Sequence, residues 1–279
     1  MSSRRTARRA KQARFWAWSF AIAMVIAVAS FVANILFAEV SPANNWGMGY
    51  GIAAVTILVG VIAWAIRRRT MRLSSKLRFG QSRSWLYFHV YGGLLFAVLV
   101  LMHSGFRIPT GILTQCLWVL SLWTVASGIA GLLMQKWIPR VLASGLSIEV
   151  LYERIPDLID ELRQKAEMMM IQAEAPIQAF YLKSLSSSFS QPRRRLIYFL
   201  DITGGIKARL RRFDYLSGFL SPTGQAQLDE LERLYQTKLE IDAHYTLQQP
   251  LRYWQYAHVP TSWLMLAFVA VHLFTVFYY

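Results

Sequence analysis

Long apolar stretches alternate with polar segments along the whole chain. A hydrocarbon core is crossed by about 20 helical residues, and five stretches reach that length. They are Phe15–Ala38, Gly49–Ile66, Trp85–Phe106, Leu113–Met134 and Tyr256–Tyr278. We number the helices that they predict one to five. The first stretch is longer than the core of a signal peptide, which is about 7–15 residues, and is therefore predicted to be a retained anchor.

The positions of the polar residues divide this predicted all-α membrane protein into four segments. Residues 1–14 form a basic arm, residues 15–134 contain helices one to four, and residues 256–279 contain helix five. Residues 135–255 are the only large polar segment and predict a small soluble insertion, either α/β or mainly helical.

Within the insertion, apolar periodicity and turn residues predict several local elements. We expect a helix over Leu151–Leu162 with Ser147 as its N-cap, and a second over Leu228–Leu247 that ends before Pro250. Three shorter features are predicted between them: a surface loop over Ser184–Ser190, a buried strand over Leu196–Leu200 and a turn at Gly204-Gly205.

The positions of the charged residues along the chain indicate its orientation in the membrane. The chain has 279 residues, 55% of them hydrophobic, and a formal net charge of +15. Thirteen basic residues lie in two segments without acids: Arg4, Arg5, Arg8, Arg9, Lys11 and Arg14, then Arg67, Arg68, Arg69, Arg72, Lys76, Arg78 and Arg83. The positive-inside rule makes both segments cytoplasmic, so the charge is an orientation signal and not a nucleic-acid signature.

This orientation predicts a bacterial-type inner membrane protein. The N-terminus and the insertion are then cytoplasmic, helices three and five both run outward, and the C-terminus is external. The single cysteine, Cys116, excludes an intramolecular disulfide framework and a cysteine-ligated cluster within this chain.

Four of the five histidines lie in two of the predicted membrane helices. His89 and His103 are 14 residues apart on helix three, and His258 and His272 are 14 apart on helix five. Fourteen residues correspond to about 21 Å of rise and about 40° of rotation, so each helix presents two imidazoles on one face. Since both helices run outward, His89 pairs in depth with His258 and His103 with His272.

Two pairs at two depths match the requirement of two bis-histidine haems. The alternatives are histidines that hydrogen-bond between helices, and a copper or zinc site, which needs ligands that converge on one point. The fifth histidine, His244, lies on an apolar stripe of the insertion and is interpreted as a packing or surface residue.

Other residues give weaker support for the haem interpretation. Arg107 follows His103 at the outer end and is a candidate partner of a haem propionate, as are Arg83 and Arg252 at the inner end. Pro260 suits the first turn of helix five. Small surfaces at which a porphyrin or another helix could approach are offered by Gly51, Gly60, Gly92, Gly93, Gly128 and Gly131.

The segments Trp85–Arg107, Ser127–Gly131 and His258–His272 resemble those of membrane-integral di-haem b-type cytochromes. In that group two helices each carry two histidines separated by 13 residues. The cytochrome b core of quinol-oxidising complexes and the ferric reductase-like membrane domains are both similar. The resemblance covers helices two to five and implies a four-helix bundle with two haem b groups. It also implies a quinone as a candidate ligand.

We therefore expect a membrane cytochrome b subunit that carries electrons across the bilayer. Its expected partners are the lipid bilayer and other redox subunits, such as iron–sulfur, flavin or c-type cytochrome proteins, but no nucleic acid. Two alternatives stay open. One is a self-contained quinol dehydrogenase or ferric reductase, and the other is a haem-free membrane scaffold in which the histidines serve helix packing.

Overall fold

The structure is a computed structural model that describes residues 2–69 and 82–278. About 85% of the chain is helical, and the described residues contain no strand. They form two compact units: the first unit comprises Met1–Ala130 and Ala257–Tyr279, and the second unit comprises Gly131–Tyr256. Arg72, Lys76 and Arg78 belong to the second basic segment, which is predicted to be cytoplasmic, and they lie outside the described residues.

The first unit consists of long helices. It contains α1 (Ser2–Phe37), α2 (Asn45–Arg69) and α3 (Ser82–His103), with the first part of α4 (Ile112–Gly145) and the last part of α9 (Pro222–Tyr278). Within the described residues, these five helices are long and apolar enough to cross a membrane. In α9 the apolar stretch follows the last charged residue, Arg252. The all-helical class and the five apolar helices are thus confirmed, and they are consistent with a multi-pass membrane protein.

Inside the first unit, α1 and α2 pack against α3. Every fourth residue of α2 is buried, and large apolar side chains of α3 are buried in the same cluster. These buried residues are Tyr50, Ala54, Leu58 and Ile62 on α2, and Phe96, Leu99 and Met102 on α3. In contrast, apolar residues on the opposite side of α1 are exposed, as expected for a helix whose solvent is lipid.

Two short connections hold the ends of α2 and α3. Asn44 caps α2, since its Oδ1 accepts a hydrogen bond from the backbone N–H of Gly47 at 2.8 Å. After α3 the chain reverses through Gly105 and Phe106, which have φ angles of +61° and +59°. The N–H of Phe106 donates to the carbonyl of Leu101 at 2.8 Å and closes the helix end.

The second unit is also helical. Besides parts of α4 and α9 it contains α5 (Ile155–Met170), α6 (Ala175–Phe180), α7 (Ser186–Phe189) and α8 (Ile202–Ser217). Shorter turns of helix are the 3-10 segments Tyr152–Arg154 and Leu196–Phe199 and the π segment Tyr181–Leu185. Residues 238–244 of α9 are all buried, so this part of α9 forms the centre of the unit.

The predicted strand Leu196–Leu200 is wrong, because its first four residues form a 3-10 helix. The backbone N–H groups of Arg193 and Arg195, which precede it, donate to Asp242 Oδ1 at 2.8 Å and to Thr246 Oγ1 at 3.1 Å. Side chains of α9 therefore satisfy the backbone of this segment, where a strand would need a neighbouring strand.

Two predicted breaks in the insertion are also wrong. The turn at Gly204-Gly205 lies inside α8, because Asp201 caps this helix and accepts a hydrogen bond from Gly204 N at 2.8 Å. The loop predicted for Ser184–Ser190 is helical. Leu185 and Phe189 are four residues apart and fully buried, so the apolar spacing outweighs the serines between them.

Ser147 does not cap a helix, and the next one, α5, begins only at Ile155. Instead, the backbone N–H and the hydroxyl of Ser147 both donate to Glu240 Oε2, at 3.1 and 2.7 Å. Ser147 therefore supplies two hydrogen bonds to a buried carboxylate of α9.

The helix predicted to end before Pro250 continues as α9 from Pro222 to Tyr278. Pro260 likewise lies in the interior of this helix and not in a first turn. Beside it, the hydroxyl of Thr261 donates to the carbonyl of Ala257 at 2.8 Å. This bond does not replace the one that Pro260 removes, because a proline deprives the carbonyl four residues earlier, here that of Tyr256, of its helical donor.

Candidate functional site

The first unit contains all four histidines of the predicted ligand set. His89 and His103 lie on α3, and His258 and His272 lie on the last part of α9. His258 is buried and the other three rings are partly buried. An ionisable side chain in a helix of this hydropathy is costly unless it has a partner, so the surroundings of each ring indicate its use.

The structure brings His103 and His272 together. Their ring centroids are 6.4 Å apart and their planes are inclined by 74°. A metal–imidazole nitrogen bond is about 2 Å long, so two imidazoles on opposite sides of one metal ion have centroids roughly 6 Å apart. The separation of these two rings therefore matches the span of a single bis-histidine metal centre.

A backbone carbonyl orients His103. Its Nδ1 lies 2.8 Å from the carbonyl oxygen of Gly47 on α2. Because a carbonyl only accepts hydrogen bonds, Nδ1 must carry the proton in this contact. The lone pair is then on Nε2, the nitrogen farther from the backbone, and is available to a metal.

Gly51, one turn after Gly47, lies directly beside the same ring. A Cβ at this position would be 3.0 Å from Nδ1 of His103 and 3.1 Å from its Cε1. The ring could accept such a neighbour only by moving. The glycine therefore maintains the position of the imidazole that the Gly47 carbonyl orients.

His258 is oriented by a side chain of α4. The hydroxyl oxygen of Ser127 lies 2.8 Å from Nδ1 of His258 and 3.0 Å from the carbonyl of Thr124. A serine has one hydroxyl proton, and the Thr124 carbonyl can only accept it. Ser127 therefore accepts from the Nδ1–H of His258, which again places the lone pair of the imidazole on Nε2.

His89 is also oriented by a backbone carbonyl. Its Nδ1 is 3.3 Å from the carbonyl of Val61 on α2, so it is oriented in the same sense as His103 but by a longer contact. Three rings thus have Nδ1 directed at an oxygen of the protein.

The predicted propionate partners have different surroundings. Arg107 and Arg83 have exposed side chains. Arg252 lies in the second unit, where its guanidinium donates to Glu153 at 3.0 Å and covers the ring of Tyr152 at 4.5 Å. Its charge is therefore compensated within the second unit, whereas Arg107 stays a candidate.

The glycines singled out in the sequence have different roles. A Cβ at Gly60 would be 2.8 Å from the ring of Phe88, and one at Gly92 would be 3.1 Å from Val61, so both allow close packing of α2 and α3. A Cβ at Gly128 would be 3.4 Å from Cε1 of His258, an ordinary contact. A Cβ at Gly93 would meet nothing within 4 Å, so the space beside it is open.

His244 differs from the four other histidines. It is buried in the second unit, where its Nε2 lies 2.8 Å from the carbonyl of Ile148 and its Nδ1 lies 3.0 Å from the amide nitrogen of Gln248. Both ring nitrogens are therefore used by the protein. This agrees with its interpretation as a packing residue, and burial lowers its pKa below the usual 6.5.

Just before His244 in the sequence, the second unit buries an ion pair between Lys238 and Asp242. Lys238 Nζ lies 2.7 Å from both carboxylate oxygens of Asp242, and both side chains are fully buried. Arg195 approaches the same carboxylate at 3.5 Å. Burial lowers the pKa of Lys238 to about 8 and raises the pKa of Asp242.

The sequence had not indicated the residues that orient the rings. Ser127 was noted only within a glycine motif, and Gly47 and Val61 act through backbone carbonyls, which leave no signal in the sequence. In the part of the chain that the structure describes, no three or more histidine, cysteine or acidic side chains converge on one point. The chain matches no protein-family profile, no curated protein and no solved structure.

Proposed function

We propose that the chain is a membrane cytochrome b that carries electrons across a bilayer through two haems. His103 and His272 hold the outer haem iron, and His89 and His258 hold the inner one. The observation that carries this proposal is the 6.4 Å separation of the His103 and His272 rings. Bound haem would supply a one-electron iron couple at each site.

The residues of the chain contribute orientation and neutrality. Hydrogen bonds to Gly47, Val61 and Ser127 present Nε2 of three ligands in the form that binds a metal. A neutral imidazole adds no charge to the apolar interior. Arg107 is the proposed partner of an outer propionate.

The basic segments support the orientation proposed for this function. The N-terminus and residues 135–255 are then on the cytoplasmic side of a bacterial-type inner membrane, and the C-terminus is external. Electrons would pass between a cytoplasmic partner and an outer carrier or quinone. The partners are other redox subunits, such as iron–sulfur, flavin or c-type cytochrome proteins, and residues 135–255 would dock the cytoplasmic one.

Spectra of the purified protein in detergent test the proposal. We expect b-type absorption on dithionite reduction and two haems per chain. His103→Ala should remove the outer haem and His89→Ala the inner haem, each reducing the ratio to about one, because each variant removes one axial ligand. His244→Gln is the matched control and should keep both haems.

Absence of haem from protein expressed with adequate iron would refute the proposal. If haem is present but both single variants lose both haems equally, the pairing by depth is wrong. Reduction of the haems by a quinol in the isolated chain would instead support the enzyme alternative.

A further inference from the structure

The polar end of α1 presents two cations on the same face as its aromatic residues. Arg8, Lys11, Gln12, Phe15 and Trp16 follow the i, i+3, i+4, i+7, i+8 spacing of one helix face. Gln12 and Trp16 of this face contact α3, whereas Arg8, Lys11 and Phe15 are exposed beside that contact.

Two contacts between α1 and α3 bound a groove at this point. Gln12 Nε2 donates to Ser84 Oγ at 2.5 Å, and the ring of Trp16 meets the edge of Phe88 at a centroid distance of 6.1 Å. The groove has a volume of about 410 Å³. It is lined by Arg8, Lys11, Gln12, Phe15, Trp16 and Ser84.

The charge of the groove is not compensated within its own unit. Neither Arg8 nor Lys11 forms an ion pair with any described residue. The first unit contains a single acidic residue, Glu39, which lies beyond the opposite end of α1. It is 28 residues from Lys11, a distance of about 40 Å along a helix. The described residues of the first unit thus offer Arg8 and Lys11 no carboxylate partner, and both cations are exposed to an external anion.

The groove also lies at the boundary between the polar and apolar parts of α1. From Phe15 to Phe37 the helix carries no charge, and Phe15 and Trp18 are 64% and 69% exposed. Tryptophan and exposed apolar residues of this kind sit at the headgroup level of a bilayer. At this level of a bilayer, lipid phosphates are the anions closest to such a groove.

We propose that this groove binds the phosphodiester headgroup of an anionic glycerophospholipid. Arg8 and Lys11 hold the phosphate, and Phe15 and Trp16 contact the glycerol and upper acyl carbons. The site fastens α1 to α3 at one membrane surface. It does not depend on haem binding, so it stands or falls separately from the proposed function.

Lipid retention by the full-length protein tests this assignment. The protein is placed in mixed micelles with phosphatidylglycerol and phosphatidylcholine, and the retained lipid is measured by native mass spectrometry. We expect preferential retention of phosphatidylglycerol. Lys11→Gln should weaken it about fivefold and Arg8→Gln/Lys11→Gln about 30-fold, from the typical contribution of one basic residue at a lipid surface.

Arg14→Gln is the matched control, because Arg14 belongs to the same basic arm but does not line the groove. It should weaken retention clearly less than Lys11→Gln does, because it removes only the general charge of the arm. An equal loss in Arg14→Gln and Lys11→Gln would mean that only the general charge of the arm matters, and unchanged retention in the double variant would overturn the site. Both results contradict the proposal.

A soluble competitor distinguishes a lipid from a free phosphodiester. Glycerophosphoglycerol lacks acyl chains and should displace phosphatidylglycerol only at far higher concentration. Displacement at equal concentration would show that the groove takes a soluble anion and would reject the lipid assignment. If the double variant loses helical content by circular dichroism, the exposed single variant Lys11→Gln decides the outcome.

Discussion

The hydroxyl oxygen of Ser127 on α4 lies 2.8 Å from Nδ1 of His258 on α9. Because Ser127 donates its only hydroxyl proton to Thr124, it accepts the proton of His258 and sets the tautomer of that ring. The contact joins two helices through residues that are 131 positions apart in the chain. In the proposed function, Ser127 is then a positioning residue for His258.

Ser127→Ala should weaken the inner haem and spare the outer one. Loss of an outer-shell partner typically lowers metal affinity about 10–100-fold. We expect partial loss of the inner haem, and a shifted redox potential in the fraction that stays bound. Redox titration followed in the visible spectrum measures both, and Ser127→Thr should restore them because it keeps the hydroxyl.

Ser121→Ala provides the control for Ser127→Ala. Ser121 is also buried on α4 and contacts α9, but its hydroxyl lies 3.6 Å from the sulfur of Met265 and not from a histidine. It should leave both potentials unchanged. If Ser121→Ala and Ser127→Ala shift them equally, the effect comes from helix packing and the positioning role is incorrect.

The sequence predicted the helices better than their ends. Hydropathy located five apolar helices, because an uninterrupted apolar stretch has few other solutions. It did not predict that α9 passes through Pro250 and Pro260, since tertiary packing overrides the local preference of a proline to end a helix. The predicted strand at Leu196–Leu200 failed for a similar reason, because its backbone partners are side chains some 50 residues away in the sequence.

The sequence could predict which histidine side chains form the candidate site, but not the backbone groups that orient them. The spacing of His89 and His103, repeated in His258 and His272, indicated two pairs from sequence alone. The carbonyls of Gly47 and Val61 could not be foreseen, because any residue has a carbonyl and only the helix register places it beside a ring. The same register gives Gly51 its role next to His103.

Gly51→Val should remove the outer haem selectively. Even the first side-chain carbon would be 3.0 Å from Nδ1 of His103, and the branched side chain adds further atoms there. The ring would have to leave the Gly47 carbonyl. We expect the ratio of haem to protein to decrease from two to about one, with the inner haem spectrum retained.

Gly49→Val is the matched control for Gly51→Val, since a Cβ at Gly49 meets nothing within 4 Å. Both changes replace a glycine near the beginning of α2 by the same residue. Loss of the outer haem in both variants would show that α2 tolerates no valine in this region, and the proposed contact with His103 would lose its support.

Breaking the buried pair of Lys238 and Asp242 should destabilise the second unit strongly. Asp242→Asn leaves a buried lysine without its counter-charge, and such losses cost about 3–5 kcal/mol. Thermal unfolding of the full-length protein, followed by circular dichroism, should show a decreased midpoint. The double variant Lys238→Met/Asp242→Leu should recover only part of the loss, because it removes the unpaired lysine but still leaves the Arg193 N–H and the Arg195 guanidinium without the carboxylate.

The exposed pair of Arg233 and Glu230 is the control for the buried one. Its atoms are 3.5 Å apart and both side chains are more than half exposed. Surface pairs contribute about 0–1 kcal/mol, so Glu230→Gln should change the midpoint little. An equal effect of Glu230→Gln and Asp242→Asn would contradict the importance of burial.

The stability of the second unit should decrease as the pH falls below about 6.5, and His244 should be one cause. Burial lowers the pKa of His244 in the folded protein, so the unfolded chain takes up a proton that the folded chain does not. Each such proton costs up to about 1.4 kcal/mol of stability per pH unit below the unfolded pKa. Protonation at Nδ1 would also break the bond from Gln248, which needs a lone pair there.

His244→Gln removes this titration, because glutamine stays neutral. We expect unfolding midpoints measured between pH 7.5 and 5 to decrease less steeply in the variant than in the unchanged protein, even if the variant is less stable at pH 7.5. The comparison of slopes separates the proton effect from lost packing, which is independent of pH. Parallel slopes in the two proteins would show that His244 does not contribute to the acid sensitivity.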